Sequence, residues 1–357
     1  MKKLLILLSA VAFVVAFTVP AMSADWGFYG SARMYTFMND LSKEASGLGV
    51  SDDDLSWFLQ GNSRIGAKVK AGAVSGRFEY GSGPNLRLLN GAWKFGAGTL
   101  VVGQDYSPID TFISNQQGPA KWGGDIDGLA WGGIYDGRTA QLKLKMASFQ
   151  VALTQPKVVS AVAGVSDTDT SMPKIEACYN FKAGPLALKV LGAMNTHDDV
   201  VITGTTEKEY SVDSNIFGLM AKYATGPFSI AADMFIATNP GNFGLLQDNS
   251  VKKAVWTGTT VEDCDSTGAL IVLGYKASDM IKLEGGYGML SNEVEAAGVT
   301  TKSETNSYYV QATITLAKGV YIVPEYGSVD YGDKEVGAAK TKQGDISYFG
   351  AKWQINF

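Results

Sequence analysis

Hydrophobicity alternates with a period of two along this chain, over stretches longer than a soluble strand uses. From Leu55 to Val69 the odd positions carry Leu55, Trp57, Leu59, Gly61, Ser63, Ile65, Ala67 and Val69. The even positions carry Ser56, Phe58, Gln60, Asn62, Arg64, Gly66 and Lys68. Such a period puts the two sets on opposite faces of a β-strand. A run of about fifteen residues exceeds the ~5–6 of an ordinary strand. The pattern returns in Leu142 and Leu144 against Lys143 and Lys145, in Leu283, Gly285, Tyr287 and Met289 against Lys282, Glu284, Gly286 and Gly288, and from Tyr308 to Leu316.

The connections alternate as well. Short ones occur at Ala71-Gly72, Gly96-Ala97-Gly98, Asp136-Gly137, Ala183-Gly184-Pro185, Thr225-Gly226-Pro227, Ala277-Ser278-Asp279 and Ala317-Lys318-Gly319. Glycine supplies positive φ and proline presets a bend, so these read as tight hairpin turns. Longer polar segments lie near 39–54, 82–86, 106–126, 156–172, 196–213, 238–267, 291–304 and 329–344. Taking 138–155 as one strand with a bulge near Ala147 gives sixteen strands, whereas a turn at Met146-Ala147-Ser148 would give seventeen.

The expected fold class is all-β: a transmembrane antiparallel β-barrel of sixteen strands, with short turns on one side and long loops on the other. A soluble β-sandwich would also alternate. Against it, Trp26, Phe95, Tyr135, Phe181, Tyr223, Phe228, Tyr275 and Phe357 share the apolar parity close to the short turns, where interfacial aromatics belong. A closed barrel also satisfies its backbone in lipid, which an open sheet does not.

Lys2, Lys3, the apolar run Leu4–Val19 and the small residues Ala21 to Ala24 read as a secretory signal peptide over residues 1–23. One barrel domain over 24–357 follows. The net charge of −5 and the lack of a basic tail argue against a nucleic-acid partner. Cys178 and Cys264 permit at most one disulfide, and the sequence leaves that pairing open.

By strand parity Arg33, Arg64 and Arg77 face inward on three successive strands, and Lys68 and Lys70 extend that lining. Arg87 and Arg138 share the apolar parity and read as rim groups. The start Asp25-Trp26-Gly27-Phe28-Tyr29-Gly30-Ser31 and the alternating end Ala351-Lys352-Trp353-Gln354-Ile355-Asn356-Phe357 complete the pattern. The chain resembles the Gram-negative trimeric porins of the sixteen-stranded general-diffusion type, over its whole mature length at the level of architecture.

That resemblance implies an outer-membrane, water-filled channel for passive diffusion of small hydrophilic solutes and ions, without cofactor or metal. It implies a third loop folded inward, with acids facing a basic wall. The acidic side would be Asp105, Asp110, Asp125 and Asp127, and the basic side Arg33, Arg64, Lys68 and Arg77. The loop lacks the proline-glutamate-phenylalanine-glycine tetrapeptide of enterobacterial porins. Expected partners are membrane lipid, lipopolysaccharide, two further copies in a homotrimer, and the barrel-assembly machinery, which would read Trp353, Ile355 and Phe357. The second loop, Ser82 to Leu86, is short for a subunit latch, so trimer contacts would fall on the barrel wall, where Gly61, Ser63 and Ala67 are small.

Three other readings compete. A substrate-selective channel for sugars, carboxylates or phosphate would stack solutes on Phe58, Tyr29 and Tyr35. An enzyme would need a nucleophile and base, but the lone histidine, His197, lies in a long segment beside Asp198 and Asp199, and Gly81-Ser82-Gly83 lacks the context of a nucleophile elbow. An adhesive role would rest on Asp52-Asp53-Asp54 and Glu262-Asp263-Cys264-Asp265, acids that could hold a divalent cation but in loops are usually just solvated.

Overall fold

The computed structural model describes residues 24–83, 85–119 and 128–357. The expected signal peptide lies outside them. Among the described residues sixteen strands form one closed antiparallel barrel. They are β1 (Asp25–Leu41), β2 in two halves (Asp52–Leu59 and Arg64–Ala71), β3 (Val74–Gly81), β4 (Leu86–Phe95), β5 (Gly98–Tyr106), β6 (Arg138–Met146), β7 (Phe149–Thr154) and β8 (Lys174–Ala183). The second half comprises β9 (Leu186–Thr203), β10 (Thr206–Thr225), β11 (Phe228–Thr238), β12 (Cys264–Lys276), β13 (Ile281–Ala296), β14 (Val299–Ala317), β15 (Val320–Asp330) and β16 (Asp345–Asn356). Each strand pairs with its sequence neighbour, and β16 closes on β1 in the register Ser31 to Asn356 through Leu41 to Ile346. No described helix is long and apolar enough to cross a membrane; a barrel crosses with strands.

The strand count agrees with the sequence, but it is reached differently in one region. No strand forms in the described part of 127–135, and Asp136-Gly137 is no hairpin turn. Both belong to the third loop, which runs on to β6. The missing strand is recovered at Ala147-Ser148, a tight turn between β6 and β7, with Ala147 at φ 49°. Tyr135 is therefore not an interfacial aromatic but part of that loop. The segments 196–213 and 291–304 are not loops either: β9–β10 and β13–β14 continue as paired ribbons to two-residue turns. His197 sits in β9, buried, with Nε2 3.6 Å from Asp199 Oδ1. Cys178 and Cys264 are both buried and unpaired.

Parity holds across most of the wall. Trp26, Phe28, Trp57, Ile65, Phe228, Trp353 and Ile355 are exposed on the outside, while Ser31, Tyr35 and Phe37 are buried inside. β2 is broken at Gln60–Ser63, where four residues stand opposite the two between Ser31 and Met34 of β1. Two extra residues shift the register without exchanging faces, so Arg64 stays inward. Ser63 does not: instead of facing outward it is buried and accepts the Arg33 N–H at 2.9 Å. Ala67 is also covered, between its cross-strand partners Phe28 and Phe78.

Candidate functional site

The third loop, from Ser107 to Gly137, leaves the wall at Tyr106 and turns into the barrel. Its first half is fixed to the opposite wall strand by strand. Ser107 Oγ donates to Glu176 on β8 at 2.5 Å, and Lys189 on β9 donates to the Asp110 carbonyl at 2.6 Å. Lys222 on β10 donates to the Phe112 carbonyl at 2.5 Å, and Thr111 Oγ1 donates to Asp233 on β11. Ile113 packs on Leu270 and Val272 of β12. Asn115 N–H donates to Glu284 on β13 at 2.8 Å, and Ser114 Oγ donates to Tyr309 on β14 at 2.8 Å. Gln117 N–H donates to Glu325 on β15 at 2.9 Å, and Gln116 donates to the Tyr348 hydroxyl on β16 at 2.7 Å. Finally Tyr35 on β1 donates to the Gly118 carbonyl at 2.5 Å.

The loop thus touches every strand from β8 to β16 and then β1. Its returning half is equally close. A Cβ on Gly132, which has φ +93°, would fall 2.1 Å from the Ala269 carbonyl oxygen, and one on Gly288 would fall 2.0 Å from that of Trp131. Only glycine allows this approach of loop backbone to sheet backbone.

The arginines stand on the facing wall, β1 to β6. The described part of the loop meets that wall at Gln60 in the β2 break, which donates to Gln117 at 2.9 Å, and at Tyr106 on β5, whose ring is 5.3 Å from that of Phe112. Glu79 of β3, with no exposed surface, is their centre. It receives Arg87 Nε at 2.7 Å, Arg77 Nη2 at 2.9 Å and the Tyr29 hydroxyl at 2.9 Å, with Arg64 Nη1 at 3.6 Å. Arg77 Nε also donates to the Tyr29 hydroxyl at 2.9 Å, and Lys68 lies over that ring at 5.4 Å. Arg64 is held further by Asn62, and Arg33 Nε donates to Ser31 Oγ at 3.0 Å. Three arginines around one carboxylate leave a net positive charge fixed in place, which the rigid guanidinium fork suits.

Arg87 and Arg138 are not rim groups. Both line the same cavity as Arg33 and Arg64, a lumen of about 1020 Å³. Arg87 turns inward because the β3–β4 register shifts beside it, Glu79 pairing with Leu88 and Tyr80 with Leu86. Arg138 opens β6 directly after the loop, with Nη1 3.3 Å from the Tyr106 hydroxyl and its guanidinium 5.3 Å from the Tyr106 ring. The bulge was invisible to a parity count. Arg138 keeps the parity of Leu142 and Leu144 in an unshifted register, yet from the first position of β6 its side chain lines the cavity beside Tyr106.

The acids are arranged differently from an exposed acidic face. Asp105 lies in β5 and pairs with Lys143 at 2.7 Å. Asp110 is buried in the loop, its Oδ1 accepting the N–H groups of Asp136 at 2.7 Å and Gly137 at 3.2 Å. Burial pushes its carboxyl up to about 8, against the lowering effect of those two donors. Asp125 and Asp127 lie outside the described residues. Tyr35 is buried under the loop tip and stacks on Phe58 at 4.8 Å. Tyr29 is engaged by Glu79 and Arg77. Those aromatics serve the wall rather than offering free faces to a solute.

The sequence profile of the Gram-negative porin family matches residues 10–352. No curated protein sequence matches the chain. Among solved structures, the trimer form of OmpT, an outer membrane protein of Vibrio cholerae, is similar over 93% of this chain and 99% of its own, with TM-score 0.58 and 18% identity. The outer membrane channel DcaP of Acinetobacter baumannii covers 94% of this chain and 97% of its own, with TM-score 0.68 and 14% identity. An anion-selective porin from Comamonas acidovorans covers 94% and 100%, with TM-score 0.58 and 12% identity. At such identities the structures establish the barrel fold, and the nearly end-to-end profile match establishes the family. The chain therefore belongs to the Gram-negative porins, non-enzymatic channels of the outer membrane.

Proposed function

We propose that this porin favours small anions and anionic hydrophilic solutes, and that its selective constriction is the gap between the third loop and the arginine-bearing wall. The charge of the lumen carries this reading. Among its described lining residues Arg33, Arg64, Arg87, Arg138, Lys276, Lys282 and Lys352 are cationic, against the single carboxylate Glu284. That carboxylate is itself occupied by Asn115 and by the Tyr309 hydroxyl at 2.6 Å. Fixed charge at the narrowest point sets ion preference, whatever the sign of the whole chain. Arg77 and Lys68 extend the basic wall toward the short-turn end, while the Asp105–Lys143 pair and buried Asp110 add little field of opposite sign.

The reading includes a homotrimer, supported by the trimer form of the OmpT structure and by the exposed aromatic band of Trp26, Phe28 and Trp57 on β1 and β2. Purified protein in a planar bilayer under a potassium chloride gradient tests the selectivity. A reversal potential of the sign set by chloride is expected, with conductance in steps of three. A potential set by potassium would overturn the anion preference.

A further inference from the structure

The lumen also holds an apolar surface that ion conduction does not need. Phe112, on the third loop, keeps 46% of its surface exposed although it stands inside the barrel, and it lines the cavity that Arg33, Arg64, Arg87 and Arg138 line. Its ring meets Tyr106 edge to face at 5.3 Å and Tyr135 at 5.8 Å. Tyr106 in turn lies under the Arg138 guanidinium at 5.3 Å, with its hydroxyl 3.4 Å from Arg87 Nη2. One ring therefore separates an open aromatic surface from two fixed cations. An isolated exposed apolar residue is ordinary, but one held by two aromatic neighbours beside convergent charges has the composition of a ligand site.

We infer that this corner of the constriction is a binding step for amphipathic organic anions, aromatic carboxylates in particular. The carboxylate is drawn to Arg138 and Arg87 while the ring lies against Phe112. The inference rests on the anion preference proposed above, and goes beyond it by naming the solute class. An apolar or aromatic body recovers hydrophobic and ring contact that a bare anion cannot, and the arginines reject the equivalent cation.

The test is block of chloride current through single channels by benzoate, acetate and benzylamine. In the unmodified protein benzoate should block at roughly tenfold lower concentration than acetate, the size expected of one ring contact, and likewise lower than benzylamine. In Phe112→Ala the benzoate-to-acetate ratio should fall to within about twofold, and Phe112→Tyr should restore it. Equal block by benzoate and acetate in the unmodified protein, or equal block by benzoate and benzylamine, overturns the inference even if Phe112→Ala forms no channels. So does a ratio that Phe112→Ala leaves intact. The reversal potential of the unmodified protein is read separately: chloride selectivity with no benzoate preference sinks the aromatic step alone, and potassium selectivity sinks the anion reading beneath it.

Discussion

Glu79 Oε1 lies 2.7 Å from Arg87 Nε, and neither side chain has more than 5% of its surface exposed. The same carboxylate holds Arg77 and stands near Arg64, so it is what allows three guanidinium groups to share one patch of wall. Removing one partner from a buried charge cluster leaves the others uncompensated, at a cost of roughly 3–5 kcal/mol. Glu79→Gln should lower the temperature at which the folded barrel converts to its heat-denatured electrophoretic form. In channels that still form, the lost negative charge should raise chloride over potassium permeability. An unchanged melting temperature would show that the cluster does not hold the wall together.

Arg138 and Arg77 should behave differently when neutralised. Arg138 lines the lumen at the root of the third loop, whereas Arg77 is committed to Tyr29 and Glu79. A unit charge about 10 Å from an ion in water is worth about 0.4 kcal/mol, or roughly twofold in an equilibrium. Arg138→Gln should disfavour chloride and favour potassium by about that factor each, reducing the chloride-to-potassium permeability ratio roughly fourfold, and Arg77→Gln by less. Reversal potentials of the two variants under one salt gradient give the comparison.

These two arginines also mark how far the sequence could be read. Parity placed Arg33, Arg64 and Arg77 inward because β1, β2 and β3 keep or restore their period, even across the break at Gln60–Ser63. It failed at Arg87, where a register shift in β4 moves one residue off its face. It fails at Arg138, which keeps the parity of Leu142 and Leu144 but, at the first position of β6, reaches Tyr106 at the root of the loop. Asp136-Gly137 has the chemistry of a hairpin turn, yet serves the third loop by donating N–H groups to Asp110. The real turn, Ala147-Ser148, carries neither glycine nor proline, so the parity change there reads as a bulge rather than a turn. The path of the third loop across β8 to β16 is set by single polar contacts between residues up to 232 positions apart, which no local pattern encodes.

Asp110 predicts an alkaline weakness. Its carboxyl ordinarily titrates at 3.8, and burial raises it to about 8. A folded-state value above the unfolded one means that the native protein binds the extra proton, so its stability falls as pH rises between about 4 and 8. The slope from this one group is at most about 1.4 kcal/mol per pH unit. Melting of the folded barrel should therefore occur at lower temperature at pH 9 than at pH 6. Asp110→Asn keeps an acceptor for the Asp136 and Gly137 N–H groups but cannot ionise, and should narrow that difference. An equal drop in both proteins would remove Asp110 as its source.

The contact between Gly288 and Trp131 predicts a change in conductance. An added methyl at Gly288 has no room before the Trp131 carbonyl oxygen, whereas one at Gly192 on β9 meets only the Ile216 carbonyl at 3.7 Å. Gly288→Ala should push the returning half of the third loop toward the lumen and lower single-channel conductance. Gly192→Ala should conduct as the unmodified protein does. If the two variants conduct alike, the loop is not held by this approach.

At the seam of the barrel, Phe357 exchanges two backbone hydrogen bonds with Gly30, at 2.7 and 3.1 Å. Its ring lies over that glycine, where a Cβ would come within 2.3 Å of it. Trp353, Ile355 and Phe357 are all exposed on the outer face, the side that lipid can reach. Deleting Phe357 removes the last pair of ladder bonds and an outward aromatic, but nothing that lines the lumen. Folded, membrane-inserted protein should fall several-fold, while the channels that do assemble keep the unmodified conductance and reversal potential. Gly30→Val leaves the terminal residue present but displaces its ring, and so separates the two effects. If the ring packing at the seam matters, this variant should share the folding defect. If only recognition of the chain end matters, it should assemble normally. Normal insertion of the deletion variant would dismiss Phe357 from assembly altogether.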